Sequence, residues 1–372
     1  MARRGHGEGS VYRRQDGRWA ASITLDDHKR KTFYGKSRKE VLEKLKVALH
    51  EQQQGTLATG PQQTLKQYLE QWLEEVHKPT IRLSSYAKYR KLLDNHILPA
   101  LGHIQIQKLT PQQIQSFYTK KLKDGLSATT IHVIHAVLHN ALENAVRWGI
   151  ISRNACDVIS PPRQTRHEIQ PLTKEQVQQL LKKARGHRLE ALLTVAVTTG
   201  MRRGELIGLK WQDIDLEERT LYIRRTVDRI TKNGYVESEP KTAQSRRKVM
   251  LPLFVVEVLK QHRAHQEQLR QQAEASWQEH GLVFCNTHGG YFHPGHLYEM
   301  FQTLLRDAAL PPMRFHDLRH SAASILLGMN VHPKVVQELL GHSQIGMTMD
   351  TYSHVLPSMQ KDAMDKLDDY FT

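Results

Sequence analysis

At 372 residues the chain is long enough for two or three domains with their own cores, and its 53 Lys and Arg against 38 Asp and Glu leave a net charge of +15. Such an excess points to a polyanionic partner. An anionic membrane is disfavoured, because no apolar run approaches the roughly 20 residues of a bilayer span and the basic start MARRGHGEGS lacks the form of a secretory leader. Cys156 and Cys285 alone cannot build a disulfide framework or a thiolate metal site, so nucleic acid in a reducing cytoplasm is the expected setting.

The charge is concentrated early, with 13 Lys and Arg against 6 Asp and Glu in residues 1–50. In GSVYRRQDGRWAASITL, Asp16-Gly17 is a hairpin turn between strand-like runs containing Val11, Tyr12, Trp19 and Ile23, and KTFYG supplies a third strand. SRKEVLEKLKVAL reads as a helix, with Ser37 and Glu40 in capping-box spacing and Val41, Leu42, Leu45 and Leu49 on one face. Residues 1–55 are therefore expected to form a three-stranded sheet with one helix, followed by a polar linker over 56–63. Residues 64–160 read as all-helical. Thr110-Pro111-Gln112-Gln113 starts one helix, whose stripe is Ile114, Phe117, Tyr118 and Leu122 and whose stop is Gly125; a longer helix runs from Ser127 towards Trp148.

Three prolines mark a second linker, 161–171. From residue 172 the pattern is mixed and mainly helical, an α+β domain extending to 372. Thr173 and Gln176 cap a helix, TLYIRRTV and GYVESEP read as two strands turning at Asn233-Gly234, and the stretch after RRKVMLP reads as helical to the end. The tail LPSMQKDAMDKLDDYF gives a short helix with an apolar side and an acidic one.

Three motifs suggest other chemistry and fail. FYGKS ends like a phosphate-binding P-loop, but Arg30 stands where that loop needs glycine. His132, His135 and His139 share a helical stripe without a cysteine or carboxylate in it, which favours a solvent- or DNA-facing row over a metal site. HDLRH spaces His316 and His320 like a zinc hydrolase, with Asp317 one methylene short of the usual general base.

What remains is an ordered set: TGMRRGELIGL, PKTAQSRRKVMLP, HDLRH and LGHSQIGMTMDTYSH. Together these resemble the tyrosine site-specific recombinases, the phage and transposon integrases. The resemblance implies a catalytic set of Arg202, Lys241, His316, Arg319, His342 and the nucleophile Tyr352, with Glu205 in support. It further implies that 64–160 is a helical core-binding domain, 172–372 the catalytic domain, and 1–55 an arm-type DNA-binding domain. Arg14, Arg18 and Arg30 of that first domain are candidate DNA contacts. Double-stranded DNA at core and arm sites, a homotetramer on DNA, an excisionase or DNA-bending accessory protein, and a nucleoid location in a bacterial or phage setting follow from the same resemblance. So does a tail that packs on a neighbouring protomer.

The chemistry suits these residue types. Attack on a phosphodiester adds charge at the phosphoryl oxygens, and two guanidiniums offer paired donors that stay charged at any working pH. A tyrosine must lose its proton to attack, for which His316 is the candidate acceptor, and Lys241 can protonate the leaving 5′ oxygen. His342 would donate a hydrogen bond to the phosphate. A phosphotyrosyl bond retains the energy of the broken backbone bond, so neither a cofactor, a metal nor ATP is expected. The alternatives are a type IB topoisomerase-like enzyme and a catalytically silent DNA-binding protein on the same fold.

Overall fold

The computed structural model describes residues 9–24, 30–53, 62–164, 170–231, 234–240 and 243–341, together with 364, 365, 367, 368, 370 and 371. The chain forms two compact units, Met1–Arg166 and His167–Thr372.

The first unit opens with three antiparallel strands, β1 (Ser10–Arg13), β2 (Trp19–Thr24) and β3 (Arg30–Gly35), in that order across the sheet. The turn falls at Asp16-Gly17 because Gly17 tolerates φ +81° and the Asp16 carboxylate accepts the Arg18 amide at 3.1 Å. Strand alternation sends Val11, Ala21 and Phe33 to one face, where they pack with Val41 and Leu45 of helix α1 (Arg38–Gln53). The α1 cap is only half the expected box. Ser37 Oγ accepts the Glu40 amide at 3.2 Å, but the Glu40 carboxylate takes the Lys36 amide at 2.8 Å while its other oxygen is drawn to Lys44.

The helical part of this unit contains α2 (Leu65–Gln71), which runs on through a π turn at Trp72–His77. It continues with α3 (Leu83–Leu92), α4 (Leu98–Leu101), α5 (Pro111–Lys123) and α6 (Ala128–Arg147). Thr64 and Thr110 cap α2 and α5 with reciprocal boxes through Gln67 and Gln113, and Ser127 caps α6. The apolar stripes of these helices meet in one core around Tyr68, Trp72, Phe117, Ile134 and Leu142, and the Tyr68 hydroxyl donates to the Ala141 carbonyl at 2.6 Å. The histidine row of α6 does not simply face solvent. His132 bonds the Pro162 carbonyl, His135 the Tyr118 hydroxyl and His139 the Asp157 carboxylate, each half-buried histidine finding its partner in the same unit.

The second unit begins with α7 (Lys174–Lys183), capped by Thr173 and Gln176, and α8 (Glu190–Thr199). Helix α8, EALLTVAVTT, is buried from Ala191 to Val197, as a helix apolar on all sides must be. It ends at Gly200, φ +62°, and is followed by α9 (Arg203–Ile207). Strands β4 (Ile214–Asp215) and β5 (Thr220–Ile223) pair in one sheet, while β6 (Thr226–Thr231) and β7 (Gly234–Ser238) form a separate hairpin. β8 (Arg247–Met250) completes the first of these sheets beside β5.

The run TLYIRRTV is thus two strands in different sheets and not one. Arg225 breaks it by turning its guanidinium onto the buried Asp213 carboxylate. Helices α10 (Leu253–Ala273), α11 (Pro294–Asp307), α12 (Asp317–Gly328) and α13 (Pro333–Leu340) follow, and α8 packs against α10 and α12. Residues 277–293 interrupt the stretch read as helical throughout, because Lys210 pairs with Leu282 and the Asn286 side chain accepts the amides of His288 and Gly290 at 2.9 Å. The fold is multidomain and α+β, with a small N-terminal sheet, a helical middle and a mainly helical C-terminal unit. Among the described residues no helix is long and apolar enough to cross a membrane.

Candidate active site

The segment TGMRRGELIGL turns sharply because Gly200 closes α8 in the left-handed region; a Cβ there would stand 2.3 Å from Leu340. The chain then presents Arg202 at the start of α9. Its Nη1 donates to Glu205 Oε1 at 2.7 Å, its backbone amide donates to Glu205 Oε2 at 3.0 Å, and its Nη2 donates to the Gly341 carbonyl at 3.1 Å. Glu205 is 2% exposed. Burial opposes its charge, but Arg247 and then Arg202 outweigh burial and hold its pKa below the ordinary carboxylate value.

His316 stands at the start of α12, with its ring edge-to-face against His320 at 5.5 Å. Burial and the nearby Arg319 charge push the His316 pKa down, so the ring is neutral at working pH. His320 is pushed down further, to about 4, by burial and then by His316. Asp317 is engaged by Arg314, which donates to it through its guanidinium at 2.8 Å and through its backbone amide. Among the described residues no group of three or more His, Cys, Asp or Glu side chains could hold a metal ion.

Arg202, Glu205 and His316 line one cleft of about 650 Å³, together with Arg203, Tyr298 and Arg314. Arg319 is 3% exposed and lies beside this cleft, its Nη1 donating to the carbonyls of Gly200 at 2.8 Å and Leu340 at 2.7 Å. Lys241, His342 and Tyr352 lie outside the described residues, but Pro240, which precedes Lys241, and Gly341, which precedes His342, are on the cleft wall. The concentration of guanidinium donors around a concave space makes it an anion site.

Two further residues belong to this constellation. Arg314 adds a cation to the cleft, and Arg247 is buried behind it, its Nη2 on Glu205 Oε2 at 3.2 Å and its Nε on the Leu339 carbonyl at 2.5 Å. The signal for Arg247 was the alternation of β8: it shares the inward face with Val249, an unusual place for a charge that has no partner. In the other unit, Arg14 and Arg18 both pair with Asp16 of the turn, at 3.5 and 3.3 Å, and Arg14 lies over the Tyr34 ring; Arg30 is exposed at the start of β3.

Residues 170–359 match the Phage integrase family, and residues 64–122 match the phage integrase N-terminal SAM-like domain. A "Tyrosine recombinase XerC-like" protein of Caldanaerobacter subterraneus subsp. tengcongensis is 32% identical over 92% of this chain and 92% of its own length. The ICEBs1 integrase of Bacillus subtilis is 27% identical over 76% of this chain and 77% of its own. In fold, the chain resembles the Tn1549 transposon integrase solved with transposon right end DNA, with a TM-score of 0.70 at 21% identity over 82% of this chain and 100% of that one. A lambda integrase tetramer solved on a Holliday junction gives a TM-score of 0.58 at 18% identity, covering 94% of this chain and 96% of that one. With the family profile spanning half the chain and a relative this similar over nearly all of it, the protein belongs to the phage integrase family of tyrosine recombinases.

Proposed function

We propose that this tyrosine recombinase integrates or excises a mobile element, cutting and rejoining DNA through a 3′-phosphotyrosyl intermediate on Tyr352. The observation that carries the reading is the convergence of Arg202, Glu205 and His316 on one cleft with Arg319 beside it, four residues drawn from two motifs more than a hundred positions apart. In this scheme Arg202 and Arg319 stabilise the charge that develops on the scissile phosphate, and Glu205 orients Arg202. His316, neutral at working pH, accepts or relays the Tyr352 proton as the phenol oxygen attacks phosphorus. Lys241 protonates the departing 5′ oxygen, and His342 donates a hydrogen bond to the phosphate. Neither a metal nor ATP takes part.

In the same reading residues 172–372 are the catalytic domain, 64–160 grip the core site, and 1–55 read a separate arm site through Arg14, Arg18 and Arg30. The relatives solved on DNA, one of them as a tetramer, support a homotetramer of this chain on double-stranded DNA at the nucleoid. An excisionase or DNA-bending protein would set direction. The exposed Met364, Leu367, Tyr370 and Phe371 support a tail that docks on a neighbouring protomer.

The test is a denaturing gel of the full-length protein with a nicked duplex built on an inverted-repeat core site. Covalent protein–DNA adducts are expected from the wild type. Tyr352→Phe should bind the duplex nearly as well, since backbone contacts dominate affinity, yet form none. Full adduct formation by the Phe variant would sink the assignment.

A further inference from the structure

The last three carbonyls of the α13 turn each meet a different arginine. Arg247 Nε donates to Leu339 O at 2.5 Å, Arg319 Nη1 to Leu340 O at 2.7 Å, and Arg202 Nη2 to Gly341 O at 3.1 Å. A helix leaves its final carbonyls without partners and its C-terminus negative, so three guanidiniums there satisfy both demands. Arg202 and Arg319 have proposed roles at the phosphate. Arg247 is placed differently. Its side chain is 7% exposed and, like Arg319, is not part of the cleft wall, and its guanidinium is spent on protein acceptors.

Its other contacts are specific. Nη2 meets Glu205 Oε2 at 3.2 Å, and Nη1 donates to the Ser245 carbonyl at 3.2 Å. Glu205 in turn holds both the guanidinium and the backbone amide of Arg202. One planar fork therefore ties β8, the carboxylate that aims Arg202, and the end of α13, where the chain departs towards His342. The packing leaves no slack: a Cβ on Gly341 would come within 2.8 Å of Arg247 Nη1 and 3.0 Å of Gln244 O.

We propose that Arg247 is a positioning residue of the strand-transfer reaction, fixing Arg202 through Glu205 and the departure point of the His342–Tyr352 segment through Leu339. This rests on the proposed roles of Arg202 and Tyr352. A displacement of about 1 Å between nucleophile, phosphate and guanidinium costs on the order of 100-fold in rate, and Arg247 guards against such a displacement on two sides at once.

The experiment uses the full-length protein on the nicked inverted-repeat duplex, comparing wild type, Arg247→Met, Arg247→Met/Glu205→Gln and Tyr352→Phe. Binding and the rate of adduct formation are measured from pH 5 to 9. Arg247→Met should bind within about two-fold of wild type and form adducts on the order of 100-fold more slowly. The charged groups set against Glu205 among the described residues are Arg247 and Arg202. Without Arg247, burial raises the Glu205 pKa, so the single variant should lose rate as pH falls earlier than wild type does. The double variant, which cannot titrate there, should not show that added loss.

Wild-type rate and pH profile in Arg247→Met would overturn the proposal. So would binding and rate that fall in the same proportion, which is the mark of a merely structural residue. If Arg247→Met does not fold by circular dichroism, Arg247→Lys carries the test. It restores a charge beside Glu205 but replaces the planar fork with a single ammonium, so slow cleavage with normal binding supports the proposal and wild-type cleavage refutes it. Adducts from Tyr352→Phe would instead remove the reading beneath the proposal, an outcome visible without any Arg247 variant.

Discussion

A single carboxylate, Glu205, organises most of the charge at this site. At 2% exposure it could not remain ionised alone, and it does so because Arg202 and Arg247 approach it from opposite sides of the chain. His316 obeys the same balance with the opposite sign. Burial and Arg319 disfavour its charged form, so its pKa lies below the ordinary 6.5. A histidine that acts as proton acceptor works only when neutral, and protonation becomes appreciable only once pH falls through its folded pKa. The rate of adduct formation should therefore fall towards acid with its midpoint below pH 6.5, in an acid limb that His316→Asn abolishes along with most of the rate. A midpoint above pH 6.5 in the wild type would show that another group takes the proton.

Among the elements, α13 is a short helix whose end is more important than its length. Gly341 terminates it at φ +68°, a conformation that costs an L-residue roughly 1–2 kcal/mol, and a Cβ there would come 2.8 Å from Arg247 Nη1. Gly341→Ala should lower the unfolding free energy in urea by at least that amount, and it should slow cleavage more than it weakens DNA binding, because the added methyl displaces Arg247. Cleavage that keeps pace with binding would argue that the end of α13 is mere packing. Helix α8 depends on burial instead. Leu193 is fully enclosed in the largest core, so Leu193→Ala should cost about 2–5 kcal/mol of stability without any specific effect at the cleft.

Across the whole molecule, charge and architecture divide the work. The net +15 favours DNA of any sequence through counterion release, while specificity must come from particular heads. In the N-terminal sheet the ion pairs of Arg14 and Arg18 with Asp16 are exposed, and exposed pairs of this kind contribute little, so a phosphate can take either arginine at small cost. Removing residues 1–55 should preserve cleavage of a short core duplex, abolish binding to separate arm sites, and flatten the salt dependence of binding by about one unit of slope per lost phosphate contact. Identical binding of long DNA by the full chain and the shortened one would refute a second specific head.

The features that local physics decides were legible in the linear sequence. The capping pairs Thr110–Gln113 and Thr173–Gln176 and the Asp16-Gly17 turn each involve residues within three positions of one another, and each formed as read. The site motifs were legible for another reason: TGMRRGELIGL and HDLRH resemble the motifs of the tyrosine recombinases, which singled out Arg202, His316 and Arg319, and the structure places them in and beside one cleft. The break in TLYIRRTV was not legible, because it depends on Asp213, a partner twelve residues before Arg225. The α6 histidines likewise found partners, such as the Pro162 carbonyl, that helical periodicity does not reveal. Arg247 is the clearest case. Its contacts with Glu205 and Leu339 span 42 and 92 residues, and a buried arginine is tolerable only where a fold assembles its acceptors around it. No pattern along the chain records that assembly; the packing of β8, α9 and α13 decides it.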